Sequence, residues 1–261
     1  MIFLKLGGSL ITDKASPETP RLDVLRRVAA EIAEARVAQP GMHLLLGHGS
    51  GSYGHQAASR HRTHLGASTP AEWIGFAEVW RVANMLNRLV VDALIGAGLP
   101  VLSFPPSASA ITQAGEIVEL SSEPIAHALA AGLVPVVAGD VAFDRQRGAT
   151  IVSTERVFAR LALALRPTHL LLAGVDPGVY ADFPANTRVF ETLRQADLRP
   201  STLTGSAVTD VTGGMADKIQ HAFAMARAAP GLEVRVFSGA EPGSIRAALS
   251  GQPVGTRILV D

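Results

Sequence analysis

Short apolar runs and longer amphipathic segments alternate along the chain. The runs are rich in Leu, Val and Ile, and most end in glycine or a small polar residue, as buried strands do; they cover residues 2–6, 43–47, 100–104, 133–139, 168–174, 233–239 and 257–261. Apolar residues recur at helical spacing in longer segments, clearest over residues 22–38, 71–98, 154–165 and 214–229. Because strands and helices alternate, we predict an α/β fold, a three-layer αβα sandwich with a mainly parallel central sheet.

Two intervals interrupt the alternation. Residues 111–120 and 141–152 each combine strand-like sequence with a glycine near the turn, Gly115 or Gly148, which is typical of a β-hairpin. No repeat, linker or low-complexity tract divides the 261 residues, so we expect a single domain. Within it we predict an N-terminal lobe over about 1–165 and a C-terminal lobe over about 166–261.

The composition narrows the class of protein. Apolar residues make up 48% of the chain and aromatic residues only 5%, which suits helices packed closely on a buried sheet. The formal net charge is zero, so nothing in the bulk charge favours nucleic acid, and the lack of cysteine excludes disulfides and cysteine-bound metals. No apolar stretch approaches the roughly 18 residues of a membrane span, and residues 1–10 predict a first strand rather than a signal peptide. We therefore expect a cytoplasmic protein with no membrane or nucleic-acid partner.

The residues that follow the apolar runs carry the candidate chemistry. Ligands of open α/β sheets bind beyond the carboxyl ends of the strands. Here those positions are rich in glycine, with lysine and aspartate among them; they are residues 5–9, 47–55, 139–140, 173–180 and 210–218. This combination indicates a site for nucleotide phosphates.

The first of these segments is residues 5–14 (KLGGSLITDK). Gly7 and Gly8 let the backbone approach a ligand closely, and Ser9 adds a hydroxyl donor. Lys5 lies late in a strand, where burying a merely structural lysine would be costly, and Lys14 follows the glycines closely enough to reach the same point. The segment is not a Walker A loop. The alternative is a β-turn with two solvated lysines.

The second segment, residues 48–55 (HGSGSYGH), places a histidine at each end of a glycine-rich stretch. Backbone N–H groups around Ser50 and Gly51 could meet an anion, and His55 could close over it. The alternative is an ordinary surface turn, since glycine and serine favour turns.

The segment at residues 210–218 (DVTGGMADK) predicts the start of a helix. Asp210 and Thr212 can cap this helix, and Gly214 leaves its first amides bare. Lys218 lies about one turn further on and could approach an anion held at the helix N-terminus. The alternative is a capped helix with an exposed lysine.

Two aspartates follow other apolar runs. Asp140, after Gly139, could order neighbouring lysines or help to hold a magnesium ion, or it could cap a turn. Asp176 and Gly178 could contact a nucleotide, and a Pro-Gly turn is the alternative.

The helical segment 71–98 carries an aromatic stripe of Trp73, Phe76 and Trp80. Such a stripe usually packs in a core, and it could instead form the wall of a substrate pocket, with Phe76 or a neighbour such as Val79 or Ala83 facing the ligand. The remaining histidines lack metal-ligand spacing, and we interpret them as structural; they are His43, His61, His64, His127, His169 and His221.

In this order the motifs resemble those of the isopentenyl phosphate kinases, a family of the amino acid kinase superfamily. The resemblance spans nearly the whole chain, and it is carried by residues 4–14, 48–55, 139–140, 175–180 and 210–218, with GTRI at 255–258. It implies an amino acid kinase-like fold and transfer of the γ-phosphoryl group of ATP, with Mg²⁺, onto isopentenyl phosphate. The product, isopentenyl diphosphate, would feed isoprenoid biosynthesis through a mevalonate pathway.

The resemblance also implies roles for residues. Catalytic roles fall to Lys5, Lys14, Asp140 and Lys218, and substrate binding to Ser50, His55, Gly139 and Phe76. Nucleotide binding falls to Lys5, Gly7, Gly8, Ser9, Gly51, Asp176, Gly178, Gly214 and Lys218, and no residue is assigned as a metal ligand. We expect the acceptor in the N-terminal lobe, the nucleotide in the C-terminal lobe, and a homodimer.

The chain departs from the family pattern at two places. Ser50 stands where a third glycine is usual, and residues 153–155 (STE) stand where Ser-Gly-Asp is common. The nearest alternative function is a fosfomycin-type phosphonate kinase, which shares the lysine and histidine motifs. A kinase for an amino acid carboxylate has no evident use for His55, and a non-catalytic nucleotide- or anion-binding protein would not need the lysines.

Overall fold

The protein is described by a computed structural model that covers residues 1–182, 184–198 and 214–260. For residues 55, 56, 215 and 216 the description is limited to the backbone.

The strands are β1 (Ile2–Leu6), β2 (Leu44–His48), β3 (Val101–Ser103), β4 (Ala110–Gln113), β5 (Glu116–Leu120), β6 (Val134–Ala138), β7 (Asp140–Asp144), β8 (Gly148–Val152), β9 (His169–Gly174), β10 (Thr192–Arg194), β11 (Glu233–Ser238) and β12 (Thr256–Leu259). The α-helices are α1 (Gly8–Ile11), α2 (Leu22–Ala38), α3 (Gly51–His61), α4 (Pro70–Gly96), α5 (Pro106–Ser109), α6 (Glu123–Ala130), α7 (Thr154–Leu165), α8 (Gly214–Ala228) and α9 (Ser244–Leu249). Short 3₁₀ turns cover Thr63–Leu65 and Gln195–Asp197.

The central sheet of the described chain has eight strands in the order β10-β12-β11-β9-β1-β2-β6-β3. Its neighbouring strands pair in parallel except for the antiparallel pair β11 and β12. The carboxyl ends of β1, β2, β6, β9 and β11 therefore meet at one edge. The predicted mainly parallel sheet is confirmed.

Helices cover both faces of this sheet, because its central strands are apolar on both sides. On one face Leu4 and Leu46 pack with α2 and α4, through residues such as Val28 and Leu86. On the other face Phe3 packs against Phe158 of α7, with ring centroids 5.1 Å apart. The three-layer arrangement is thus confirmed. No helix among the described residues is both long and apolar enough to cross a membrane.

Both predicted hairpins form, and they join into a second, four-stranded sheet. β4 pairs with β5 and β7 pairs with β8, both antiparallel, while β4 and β7 lie in parallel. Gly115 and Gly148 have φ values of 88° and 73°, the left-handed region that glycine adopts without strain. β8 then leads directly into α7, so the hairpin sheet lies next to the edge where the central strands end.

The sequence pattern missed several elements, of which α3 matters most. The pattern predicts a glycine-rich loop over residues 48–55, whereas the structure begins a helix at Gly51. Glycine and serine have low helix propensity, but Tyr53, Ala57 and Ala58 are buried in the core beside α4. Tertiary packing, rather than local helix propensity, therefore makes this segment helical.

Asp144 ties the turns of the two hairpins together. Its buried carboxylate accepts hydrogen bonds from the Thr112 hydroxyl and from the backbone N–H groups of Ala114, Gly115, Gln146 and Arg147. Burial alone would raise the pKa of the Asp144 carboxyl, but these donors outweigh it and hold the pKa well below its usual range. The stabilisation is therefore complete above the unfolded pKa of about 4 and is lost as the pH falls toward the folded value.

We expect Asp144→Asn to lower the free energy of unfolding at pH 7 by about 1–3 kcal/mol, because an amide satisfies fewer of the buried donors. Urea denaturation measures the change. The control is Asp92→Asn, which removes an exposed ion pair with Arg88 and should cost at most about 0.5 kcal/mol. Equal stabilities of the two variants would contradict this role for Asp144.

Candidate active site

Two glycine-containing segments touch where β1 and β2 end. A Cβ atom added to Gly8 would lie 2.5 Å from the backbone N of Gly51, and one added to Gly49 would lie 2.9 Å from the backbone N of Gly8. Any side chain at these positions would push the segments apart. Glycine here therefore brings the backbone after β1 against the first turn of α3.

His48 supports this junction from inside the protein. Its ring is buried at the end of β2, with Nε2 3.1 Å from Asn87 Oδ1 of α4 and Nδ1 3.1 Å from the Gly49 carbonyl oxygen. Burial lowers the pKa of His48. The side chain is among the described residues that do not line the cleft below, so we assign it to holding the turn.

A cleft of about 410 Å³ opens over this junction. The chain contains three lysines, Lys5, Lys14 and Lys218, and all of them line this cleft. They come from β1, from the loop after α1 and from α8. Since Lys and Arg together number 23, the other cations are arginines. Lysine is thus used only where a compact ammonium faces the cleft.

Lys5 forms a buried ion pair with Glu155 in the first turn of α7. The side chains of Lys5 and Glu155 are 8% and 12% exposed. Burial would raise the pKa of Glu155, but the charge and hydrogen bond of Lys5 outweigh it and keep the pKa below its usual value. The ion pair therefore fixes the direction of the Lys5 side chain.

Lys218 faces the same point from α8. Burial, and next the charge of Lys5, lower the pKa of Lys218. Lys14 contributes to the same repulsion. An anion that enters the cleft would relieve this repulsion among the lysines. The site therefore favours binding of a multiply charged phosphate.

Asp140 begins β7 at the floor of the cleft. It accepts hydrogen bonds from the backbone N–H of Val141 at 2.8 Å and of Ser107 at 3.3 Å. Burial raises the pKa of Asp140, and hydrogen bonds from the Ser107 side chain and from these two N–H groups offset the rise only in part. No group of three or more His, Asp or Glu side chains in the described part of the chain is placed to hold a metal ion.

Part of the cleft lining is apolar. It consists of Ala58 of α3, Val79 and Ala83 of α4, and Ile151 and Val152 of β8. The cleft thus combines charged groups with aliphatic side chains from α3, α4 and the hairpin sheet, a lining suited to a phosphate that carries a hydrocarbon tail.

The structure brings most of the residues predicted from sequence together. Those lining the cleft are Lys5, Gly8, Ser9, Lys14, Ser50, Gly51, Gly139, Asp140 and Lys218. Gly7 and Asp176 line a smaller opening of about 20 Å³ that also contains Lys5 and Lys218. These placements leave the roles of the residues as predictions.

Other predicted residues lie elsewhere. Phe76 packs against Trp73 and Phe143, with ring centroids 5.4 and 5.3 Å apart, and the described cleft lining does not include it. Gly178 packs against Thr256. Gly214 begins α8, whereas Asp210, Thr212 and the side chain of His55 lie outside the described residues.

Sequence reasoning missed several residues that line the cleft, namely His64, Glu155, Arg156, Asp217 and His221. Glu155 could have been found, because it is a carboxylate in the segment where the related pattern has Ser-Gly-Asp. His221 follows Lys218 by three residues and so shares its helix face. His64 carries no sequence signal that places it at the cleft.

Comparison with known proteins identifies the class. The model of the amino acid kinase family matches residues 1–238, and the chain belongs to this family. The isopentenyl phosphate kinase of Methanothermobacter thermautotrophicus is 37% identical over 272 residues, covering 99% of this chain and 98% of the relative. The enzyme of the same name from Methanocaldococcus jannaschii is 31% identical, with 99% and 98% covered.

A solved structure agrees with these relatives. The X-ray structure of an isopentenyl phosphate kinase superposes with a TM-score of 0.83 at 32% identity, covering 99% of this chain and all of the other. Within the amino acid kinases, the chain therefore belongs to the isopentenyl phosphate kinase family. The resemblance found in the motifs is confirmed.

Proposed function

We propose that this protein transfers the γ-phosphoryl group of ATP to isopentenyl phosphate and so forms isopentenyl diphosphate for isoprenoid biosynthesis. The observation that carries the proposal is one cleft that is lined both by every lysine of the chain and by aliphatic side chains of α4 and β8. A phosphate that carries a prenyl group matches both kinds of lining.

Transfer between two phosphates requires positioning and charge neutralisation more than acid–base chemistry. The attacking phosphate oxygen is already ionised, so no general base is needed. Lys5 and Lys218 would bind the donor phosphates, with backbone N–H groups of Gly8 and Ser9 beside them. Lys14 would follow the moving phosphoryl group, and His55 would hydrogen-bond the acceptor phosphate.

Magnesium would be held chiefly by the nucleotide. Mg²⁺ commonly takes one or two protein carboxylates together with substrate phosphates and water. Asp140 fits this use, because it is a carboxylate that lines the cleft, where hydrogen bonds from Ser107 and Val141 hold its orientation. When bound, the ion would supply positive charge that neutralises the phosphate groups. Asp140 would then order this end of the cleft.

The arrangement within the chain is also part of the proposal. We expect the acceptor in the N-terminal lobe, over about residues 1–165, and the nucleotide in the C-terminal lobe after it. A homodimer, a cytoplasmic location and a place in a mevalonate pathway remain expectations.

An acceptor screen tests the proposed function. With ATP and Mg²⁺, we expect kcat/KM for isopentenyl phosphate to exceed that for fosfomycin, and ATP turnover without acceptor to be slow. A preference for fosfomycin would favour the phosphonate kinase alternative. ATP binding without turnover on any acceptor would favour a non-catalytic binding protein.

The aliphatic lining of the cleft predicts which residues limit the length of the prenyl tail. Val79→Ala enlarges the cleft, so we expect it to raise kcat/KM for ten-carbon relative to five-carbon prenyl phosphate about tenfold, since each buried methylene contributes about 0.8 kcal/mol. Ile74→Ala, on the exposed side of the same helix, is the control and should leave the preference unchanged.

Phe76→Ala tests the residue that the sequence assigned to the tail. If Phe76 reaches the substrate, this variant also extends tolerance toward longer prenyl phosphates. A lower melting temperature with unchanged relative preferences would mean that Phe76 only packs with Trp73 and Phe143. An unchanged preference in Val79→Ala would place the tail elsewhere.

A further inference from the structure

Thr12 connects the two substrate-facing segments of the cleft. It is fully buried, and its hydroxyl donates a hydrogen bond to the Gly8 carbonyl at 2.7 Å. The same oxygen accepts a hydrogen bond from the backbone N–H of Ser52 at 3.0 Å. One hydroxyl therefore joins the backbone after β1 to the first turn of α3.

The loop that carries Lys14 starts at Thr12 and is fastened to the same turn of α3. The backbone N–H of Asp13 donates to the Thr19 carbonyl at 2.9 Å, which closes the base of the loop. The backbone N–H of Thr19 donates to Ser52 Oγ at 3.2 Å, and that of Glu18 to the Ser52 carbonyl at 3.3 Å. Lys14 thus lies between two attachments, Thr12 at one end and Ser52 at the other.

The position of Thr12 admits few replacements. A Cβ atom on Gly51 would lie 2.1 Å from Thr12 Oγ1, so the hydroxyl rests directly against the backbone of α3. Valine has nearly the same shape, but it would leave the Gly8 carbonyl and the Ser52 N–H without this partner. Serine would keep both hydrogen bonds.

We propose that Thr12 is the positioning residue that holds Lys14 over the junction between the donor and acceptor ends of the cleft. This inference rests on the proposed function, because it assigns Thr12 an effect on phosphoryl transfer through Lys14. Transfer rates depend steeply on the position of the groups that contact the moving phosphate. Release of the loop should therefore lower turnover more than it weakens ATP binding.

The first measurement does not depend on catalysis. Endoproteinase Lys-C cuts after lysine, so the chain offers three bonds, after Lys5, Lys14 and Lys218. In the folded protein we expect Thr12→Val to raise the rate of cutting after Lys14 roughly five- to tenfold, as loss of a hydrogen bond would allow. Thr12→Ser should behave as wild type. Cutting after Lys5, in the buried strand β1, reports global unfolding.

The matched control is Thr112→Val. Thr112 is another fully buried threonine whose hydroxyl is hydrogen-bonded, to the Phe143 carbonyl and to Asp144, but it lies in the hairpin sheet. The Thr112→Val variant should have a lower melting temperature, but the rate of cutting after Lys14 should not rise. If Thr12→Val does not fold, Ser52→Ala takes its place, because it removes the attachment of Thr19. Unchanged cutting after Lys14, or an equal rise in Thr112→Val, would overturn the proposal.

The second measurement is a double-mutant cycle on turnover of isopentenyl phosphate. We expect Thr12→Val to lower kcat about 10- to 100-fold with a small change in the KM for ATP, and Thr12→Ser to restore kcat. In a Lys14→Ala background, Thr12→Val should have little further effect, since it acts through Lys14. Additive effects, or an unchanged kcat, would overturn the proposal. Absence of turnover in wild type would instead reject the proposed function, and the proteolysis would still decide whether Thr12 holds the loop.

Discussion

Lys14→Ala should lower kcat for isopentenyl phosphate by about 10²–10³-fold, the effect of removing one donor that contacts the transition state. Lys14 lines the cleft from the loop after α1, together with Lys5 and Lys218. Those two lysines remain to bind the donor phosphates, so the KM for ATP should change little. Steady-state kinetics with each substrate varied in turn measure the change in kcat and the change in the KM for ATP separately.

Arg21→Ala is the control for Lys14. Arg21 is an exposed cation at the far end of the same loop, and it is outside the described cleft lining. Its removal deletes an equal charge and should leave kcat close to wild type. If Lys14→Ala abolishes ATP binding while turnover at saturation survives, Lys14 is a ground-state ligand of the nucleotide and not a catalytic residue.

Glu155→Gln should destabilise the unliganded protein by about 3–5 kcal/mol, because it leaves the buried ammonium of Lys5 without its counter-charge. Lys218 and Lys14 add to the uncompensated positive charge. ATP supplies negative charge at the same place, so it should raise the melting temperature more in the variant than in wild type. Turnover should also fall, since Lys5 loses the group that orients it.

Glu116→Gln provides the comparison for Glu155. Glu116 pairs with Arg156 at the surface, with its side chain 73% exposed, so the same chemical change should cost at most about 1 kcal/mol. Urea denaturation of both variants with and without ATP gives the result. Similar stabilities, or an equal response to ATP, would show that the Lys5–Glu155 pair has no special place in the site.

The sequence pattern predicted those elements whose formation depends on their own residues. The helix predicted at 22–38 matches Leu22–Ala38, because its apolar stripe is regular. Both hairpins were also predicted, since Gly115 and Gly148 mark their turns. Helix α3 was missed, because Gly51, Ser52 and Gly54 have low helix propensity and only burial of neighbours such as Tyr53 stabilises it.

The charged half of the site could be predicted for a simple geometric reason. Lys5, Ser50 and Asp140 lie at or just after the ends of strands that run in parallel, and such ends meet at one edge. Glu155 was missed because its importance lies in the contact with Lys5, 150 residues away. Ile151 and Val152 were missed as cleft residues because their place depends on how the hairpin sheet folds beside α4.

The most direct test of the central claim is the identity of the product. Wild-type protein incubated with ATP, Mg²⁺ and isopentenyl phosphate can be followed by ³¹P nuclear magnetic resonance. We predict that the phosphomonoester signal is replaced by the two coupled signals of a prenyl diphosphate, with one ADP formed for each molecule. Release of inorganic phosphate without a new diphosphate, or an unchanged phosphomonoester signal, would contradict the assignment of this cleft to phosphoryl transfer onto isopentenyl phosphate.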